Sequence, residues 1–131
     1  MGKADILGQL SLKKTLLGTL DGKINKLKKD LSTLEWVLEK VQEHHKDFKT
    51  TMDDCNKTEI STSHWKGQTK NKSDKHREDL EKTAEEIDKK FQDAIDRLEE
   101  DIMNKKFEIQ VANAERTMVS GIIATLESAL V

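Results

Sequence analysis

The side chains best suited to chemistry in this sequence are imidazoles, carboxylates and one thiol near mid-chain. They are His44, His45, Asp47, Cys55 and His64, residue types that can bind zinc or support nucleophilic catalysis. His44 and His45 are adjacent and diverge by about 100° on a helix, and no His-x-x-x-His pair occurs. We therefore expect no metal site, no cofactor and no enzymatic activity, with Cys55 an inert thiol.

The composition indicates what kind of scaffold must carry these residues. The chain has 131 residues, of which 37% are charged, with no Pro and six Gly. Such a composition favours long helices, and the length predicts a single domain over residues 1–131. A formal net charge of −2 argues against nucleic-acid binding. No apolar run is long enough for stable membrane insertion, and charges interrupt residues 1–20, so no secretory signal is expected.

Apolar residues recur at alternating steps of three and four in the first third of the chain. This spacing is typical of a coiled-coil seam, because it keeps one stripe of a helix against one neighbour. It predicts a helix over about 4–52, with His45 as a polar position in the row. The first-helix seam consists of Leu17, Leu20, Ile24, Leu27, Leu31, Leu34, Leu38, Val41, His45, Phe48 and Met52, preceded by Ile6 and Leu10.

A second seam predicts a helix over about 73–130. Two successive steps of four, from Ile87 through Phe91 to Ile95, predict a local stutter in the supercoil. The second-helix seam consists of Leu80, Ala84, Ile87, Phe91, Ile95, Leu98, Ile102, Lys105, Ile109, Ala112, Arg116, Val119, Ile123, Leu126 and Leu130.

The segment between the seams, about 53–72, is rich in Asn, Ser and Thr and is predicted to be a loop. Two helices joined by a polar loop predict an all-α fold, an antiparallel two-helix hairpin. The alternative is one continuous rod that dimerises along its length.

A second apolar row runs along the second helix, half a turn from the seam. This outer row has the spacing 4-4-3-4-4 and consists of Met103, Phe107, Val111, Ala114, Met118 and Ile122. Leu7, Leu12 and Leu16 lie outside the first seam and are expected at the same end of the hairpin. One hairpin cannot cover both faces, so we expect a partner-binding surface, or pairing of two hairpins into a four-helix bundle.

The predicted loop contains Trp65 and Gly67, which form a Trp-x-Gly motif suited to a reversal of the chain. Placed between two long heptad helices, this motif resembles the WXG (ESAT-six-like) superfamily of bacterial type VII secretion. The stretch from Trp65 through Asp79-Leu80 to Asp93–Glu99 looks most like the YwqH-like proteins associated with LXG toxins. The resemblance covers the organisation of nearly the whole chain.

The resemblance implies a non-enzymatic accessory protein that binds, targets or chaperones its partner. That partner would be the helical N-terminal region of an LXG toxin, or a second small WXG-like protein. Its expected location is the bacterial cytoplasm, or export together with the partner, since the chain has no Tyr and so lacks the family's Tyr-based export signal. The alternative function is a structural homodimeric coiled-coil scaffold unrelated to secretion.

Overall fold

The computed structural model describes residues 2–57 and 68–131 and contains two α-helices there, without strands. Helix α1 spans Lys3–Lys57 and helix α2 spans Gln68–Ala129. Both carry an apolar stripe at heptad spacing, and such stripes are buried when two helices pack together. The predicted all-α helical hairpin is therefore confirmed.

Both helices extend farther toward the predicted loop than the sequence pattern indicated. Residues 53–57 belong to α1 and residues 68–72 belong to α2. Neither stretch contains Gly or Pro, so the backbone continues as a helix after the apolar pattern has stopped. The loop limits of 53 and 72 were therefore wrong by about five residues at each side.

The chain divides into two compact units, each containing one segment of each helix. The terminal unit comprises Met1–Glu35 and Glu100–Val131, and the central unit comprises Trp36–Glu99. Each is described separately below.

The terminal unit holds two clusters of buried apolar side chains from the predicted seams. In the first cluster Leu17, Leu126 and Leu130 pack against buried residues, and in the second Ile109 does so. Removing apolar surface from water is the main favourable contribution to this packing. The buried members are Ile6, Leu10, Leu20, Val119 and Ile123 in the first cluster and Ile24, Leu27 and Ala112 in the second.

Three ion pairs link the helices of the terminal unit and show that they run antiparallel. Lys14 Nζ lies 3.5 Å from Glu127 Oε1, and Lys105 Nζ lies 3.9 Å from Asp30 Oδ2. Between them the Arg116 guanidinium donates to the Asp21 carboxylate. Apart from the half-buried Lys105, these side chains are substantially exposed, so each pair contributes at most about 1 kcal/mol and acts mainly on register.

In the central unit a polar pair lies in the seam. The His45 ring is buried, and its Nε2 lies 2.5 Å from Asp88 Oδ1. His45 stacks on Phe91 with ring centroids 5.1 Å apart, and Phe91 also contacts Phe48 at 5.7 Å. Aromatic packing thus covers His45, whereas its partner Asp88 stays partly exposed.

Asp88 corrects the predicted stutter of the second seam. Asp88 is half-buried against His45, whereas Ile87 and Leu80 are exposed. With Asp88 in the row, the sequence of steps from Ala84 through Phe91 to Ile95 is 4-3-4, the regular heptad spacing. The stutter at Ile87 was wrong, because the partner of His45 and not the more apolar neighbour occupies the seam.

Within the described residues, neither helix has an apolar window of the length and low charge that a membrane-crossing helix requires.

Candidate partner-binding surface

All of the large apolar residues predicted to bind a partner are exposed in the terminal unit. Met103, Phe107 and Met118 are 69%, 65% and 68% exposed, and Leu12 is 72% exposed. Apolar surface of this size costs free energy in water unless another molecule covers it. The exposed set is Leu7, Leu12, Leu16, Met103, Phe107, Val111, Met118 and Ile122.

The outer row lies on the side of α2 opposite its buried face. Buried seam residues have exposed residues about half a turn away on the same helix. Phe107 lies opposite Ile102, and Ala114 lies opposite Ala112. Because α1 already packs on the buried face, the outer row has no covering element among the described residues of the terminal unit. Here α2 is apolar on two faces, as the sequence predicted.

The outer row of α2 itself contains no charged residue, although 37% of the chain is charged. Between Met103 and Thr125, Lys106 and Glu115 lie at its edges, and six neighbouring positions carry polar or small side chains. They are Asn104, Gln110, Thr117, Gly121, Ala124 and Thr125. Charged residues lie mainly on the flanks. This arrangement is typical of an interface whose centre is depleted of charged residues.

The three leucines of α1 do not all lie on one side. Leu7 and Leu16 are nine residues apart, which on an α-helix separates them by about half a turn. Leu16 lies between Lys14 and Asp21 in α1. The ion-pair partners of these two residues, Glu127 and Arg116, lie on either side of Ile122 in α2. Leu16 therefore lies level with Ile122, with Leu12 one turn away, whereas Leu7 is separate from them. That Leu7 contributes to the same partner-binding surface stays a prediction.

The outer face of α1 in this unit is built of small residues. Gly8, Gly18 and Gly22 lie there, and a Cβ atom added at any of them meets nothing within 4 Å. No packing within the described part of the chain accounts for glycine at these positions.

Trp36, in the central unit, is 58% exposed outside the seam. Lys40 Nζ lies 5.8 Å from the centroid of its ring, within the range of a cation–π contact. Both residues lie within one turn of α1, so Lys40 covers part of the exposed Trp36 ring without a second molecule.

The central unit also has an open cleft that the sequence pattern did not indicate. Phe48, Met52 and Ala84 form its apolar part, and Glu81 and Glu85 lie beside them. The small Ala84 in a seam position opposite larger side chains leaves the cleft open. The signal was present in the sequence as an alanine within the second seam.

The chemistry-bearing residues do not form a cluster in the described part of the chain. His45 is committed to Asp88, and Cys55 is exposed as a free thiol. Among the described residues there is no group of three or more His, Cys, Asp or Glu that could hold a metal ion. His64, Trp65 and Gly67 lie outside the described residues.

Comparison with protein-family models, curated proteins and solved structures finds no match. The resemblance to the WXG superfamily therefore stays a sequence-based hypothesis.

Proposed function

We propose that this chain is a non-enzymatic accessory protein of a bacterial type VII secretion system. It binds the helical N-terminal region of an LXG-type toxin, or a related small helical protein, and targets or chaperones that cargo. It acts in the cytoplasm and leaves the cell, if at all, as one member of the complex. The observation that supports binding is the exposed apolar outer row of α2 in the terminal unit.

Helix-on-helix recognition suits the chemistry of this face. An amphipathic cargo helix would place its apolar side on the outer row, at the spacing of one helical turn. Met103 and Met118 are unbranched and adapt their shape to different side chains, which favours a surface that accepts several related helices. Burial of five large side chains would contribute about 5–10 kcal/mol before the costs of association.

The secretion part of the proposal depends on sequence resemblance alone. It derives from the Trp65 and Gly67 motif and its place between two long helices. The second candidate function, a homodimeric scaffold, is favoured by the same exposed row, because a second hairpin would also cover it. The two functions differ in whether another protein is required.

The test is co-expression of the full chain with the N-terminal helical region of an LXG toxin encoded beside its gene. We expect capture of a 1:1 complex, measured by light scattering. The variant F107D/M118D should reduce capture at least about 100-fold, because two carboxylates would be placed in an apolar contact. It should leave the helical circular dichroism of the chain unchanged.

The matched control is Q42D/T51D, which adds the same two charges at exposed positions of the central unit. It should bind the toxin region as the wild type does. No capture by the wild-type chain, or undiminished capture by F107D/M118D, would contradict the proposal. If the chain pairs only with itself, the homodimeric scaffold is the remaining candidate function.

A further inference from the structure

The open cleft of the central unit combines an apolar floor with an acidic rim. Phe48, Met52 and Ala84 are half-buried and form the floor, and Glu81 and Glu85 are exposed beside it. The cleft has a volume of about 470 Å³, which is within the range of clefts that bind ligands. It therefore has room for a large side chain of another molecule.

The rim of the cleft carries more negative charge than the two helices neutralise. Four carboxylates line the cleft with a single ammonium group, that of Lys49. Asp88 is hydrogen-bonded to His45, whereas Glu81 and Glu85 have no ion-pair partner among the described residues. A bound cation would therefore meet two carboxylates that no other side chain engages there.

The acidic rim continues along α2 beyond the cleft. Four acidic residues recur at steps of 3-4-3, which places them on one edge of the helix over a length of about 15 Å. They are Glu78, Glu81, Glu85 and Asp88. Glu78 joins Glu81 and Glu85 in a second, smaller depression that Lys82 also lines. A ligand that matches this edge is elongated and carries positive charges about one helical turn apart.

We infer that the cleft binds a basic amphipathic helix of a protein partner, which inserts one apolar side chain and places arginine or lysine on the acidic edge. The apolar side chain fills the space between Phe48, Met52 and Ala84. Guanidinium groups suit the edge because they donate several hydrogen bonds in one plane to carboxylates. Charge complementarity decides the class of partner, since an acidic helix would bring like charges against Glu81 and Glu85.

Ala84 is the residue that keeps the cleft open. It occupies a seam position, where a larger apolar side chain would bury more surface and stabilise the chain. The small side chain therefore leaves the free chain less stable and leaves space for a partner's side chain. Ala84→Leu should reverse both effects, because it fills the floor and preserves every charge of the rim.

The site is independent of the proposed secretion cargo. The outer row, where that cargo is proposed to bind, belongs to the terminal unit, and the cleft belongs to the central unit. The variant F107D/M118D should therefore bind a basic helix as the wild type does. Loss of toxin capture and loss of basic-helix binding are thus separate results.

The deciding experiment titrates a fluorescent probe peptide with the full chain and follows fluorescence polarisation. The probe is a short alanine-based helix with one central leucine and an arginine one turn before it and one turn after it. We expect saturable binding with a Kd of about 100 µM or below, as is typical of a small contact. E81Q/E85Q should weaken binding at least about fivefold, and Ala84→Leu should weaken it at least about tenfold.

The matched control is E39Q/E86Q, which removes two charges at exposed positions of the central unit outside the cleft and should bind as the wild type does. Probes with glutamine in place of both arginines, or alanine in place of the leucine, should bind at least about fivefold more weakly. Circular dichroism checks that every variant remains helical.

Three results would overturn the inference. The first is the absence of saturable binding by the wild type, and the second is undiminished binding by E81Q/E85Q or Ala84→Leu. The third is displacement of the probe by spermine at the same concentration as by unlabelled probe. Spermine carries positive charges without the bulky apolar side chain, so equal displacement would mean that the apolar floor takes no part.

Discussion

At the scale of single residues, the pair formed by His45 and Asp88 places a buried polar side chain in the seam. His45 is 7% exposed, and its hydrogen bond to Asp88 crosses from α1 to α2. A buried polar group needs a partner, so this pair favours the one helix register that brings the two side chains together. Polar residues in coiled-coil seams commonly specify register in this way, at some cost in stability.

Asp88→Ala should destabilise the chain by about 1–3 kcal/mol, because it leaves the buried imidazole of His45 without its partner. Replacing both residues, as in H45L/D88L, should restore or exceed wild-type stability, since two apolar side chains then meet in the seam. Urea unfolding followed by circular dichroism measures both changes. Equal loss in the single and double variants would show that the pair does not act as a unit.

At the scale of the helices, glycine in the middle of α1 is the feature that packing within the described chain does not explain. Gly18 and Gly22 are exposed in the helix interior, and added Cβ atoms would meet open space. Glycine in such a position lowers helix stability relative to alanine, because it loses more backbone freedom on folding.

Gly18→Ala with Gly22→Ala should therefore raise the free energy of unfolding by about 1–2 kcal/mol in total. Thermal and urea unfolding of the isolated chain provide the measurement. Ser11→Ala, at another exposed position of the same helix, is the control and should change stability by less than about 0.7 kcal/mol. A less stable double glycine variant would mean that this face of α1 is covered.

At the scale of the whole molecule, the exposed outer row connects stability with association. If two chains pair through it, unfolding also dissociates them, and the melting temperature depends on protein concentration. The terminal unit would then gain stability from a second molecule as well as from its own clusters of buried residues.

For the homodimeric scaffold, the second candidate function, a tenfold increase in protein concentration should stabilise the chain by about 1.4 kcal/mol and raise its melting temperature by a few degrees. The melting temperature of F107D/M118D should not change with concentration. Calorimetry over a roughly 100-fold range of concentration tests this. A wild-type melting temperature that is constant over that range would contradict the homodimeric scaffold.

The sequence determined the all-α hairpin, most of both seams and the two apolar faces of the second helix. These features follow from helical periodicity, which is a local property: the positions of Ile102 and Phe107 on opposite sides of α2 depend only on their separation in the chain. The exposure of the outer row was predictable for the same reason, since one neighbouring helix covers one face.

Only the tertiary structure decided which residue of the second helix faces His45. Hydrophobicity favoured Ile87, but cross-helix register and the hydrogen bond placed Asp88 in the seam. The structure likewise extended both helices beyond their apolar patterns. These features depend on how two helices align and on what each side chain meets there, and the sequence of one helix does not contain that information.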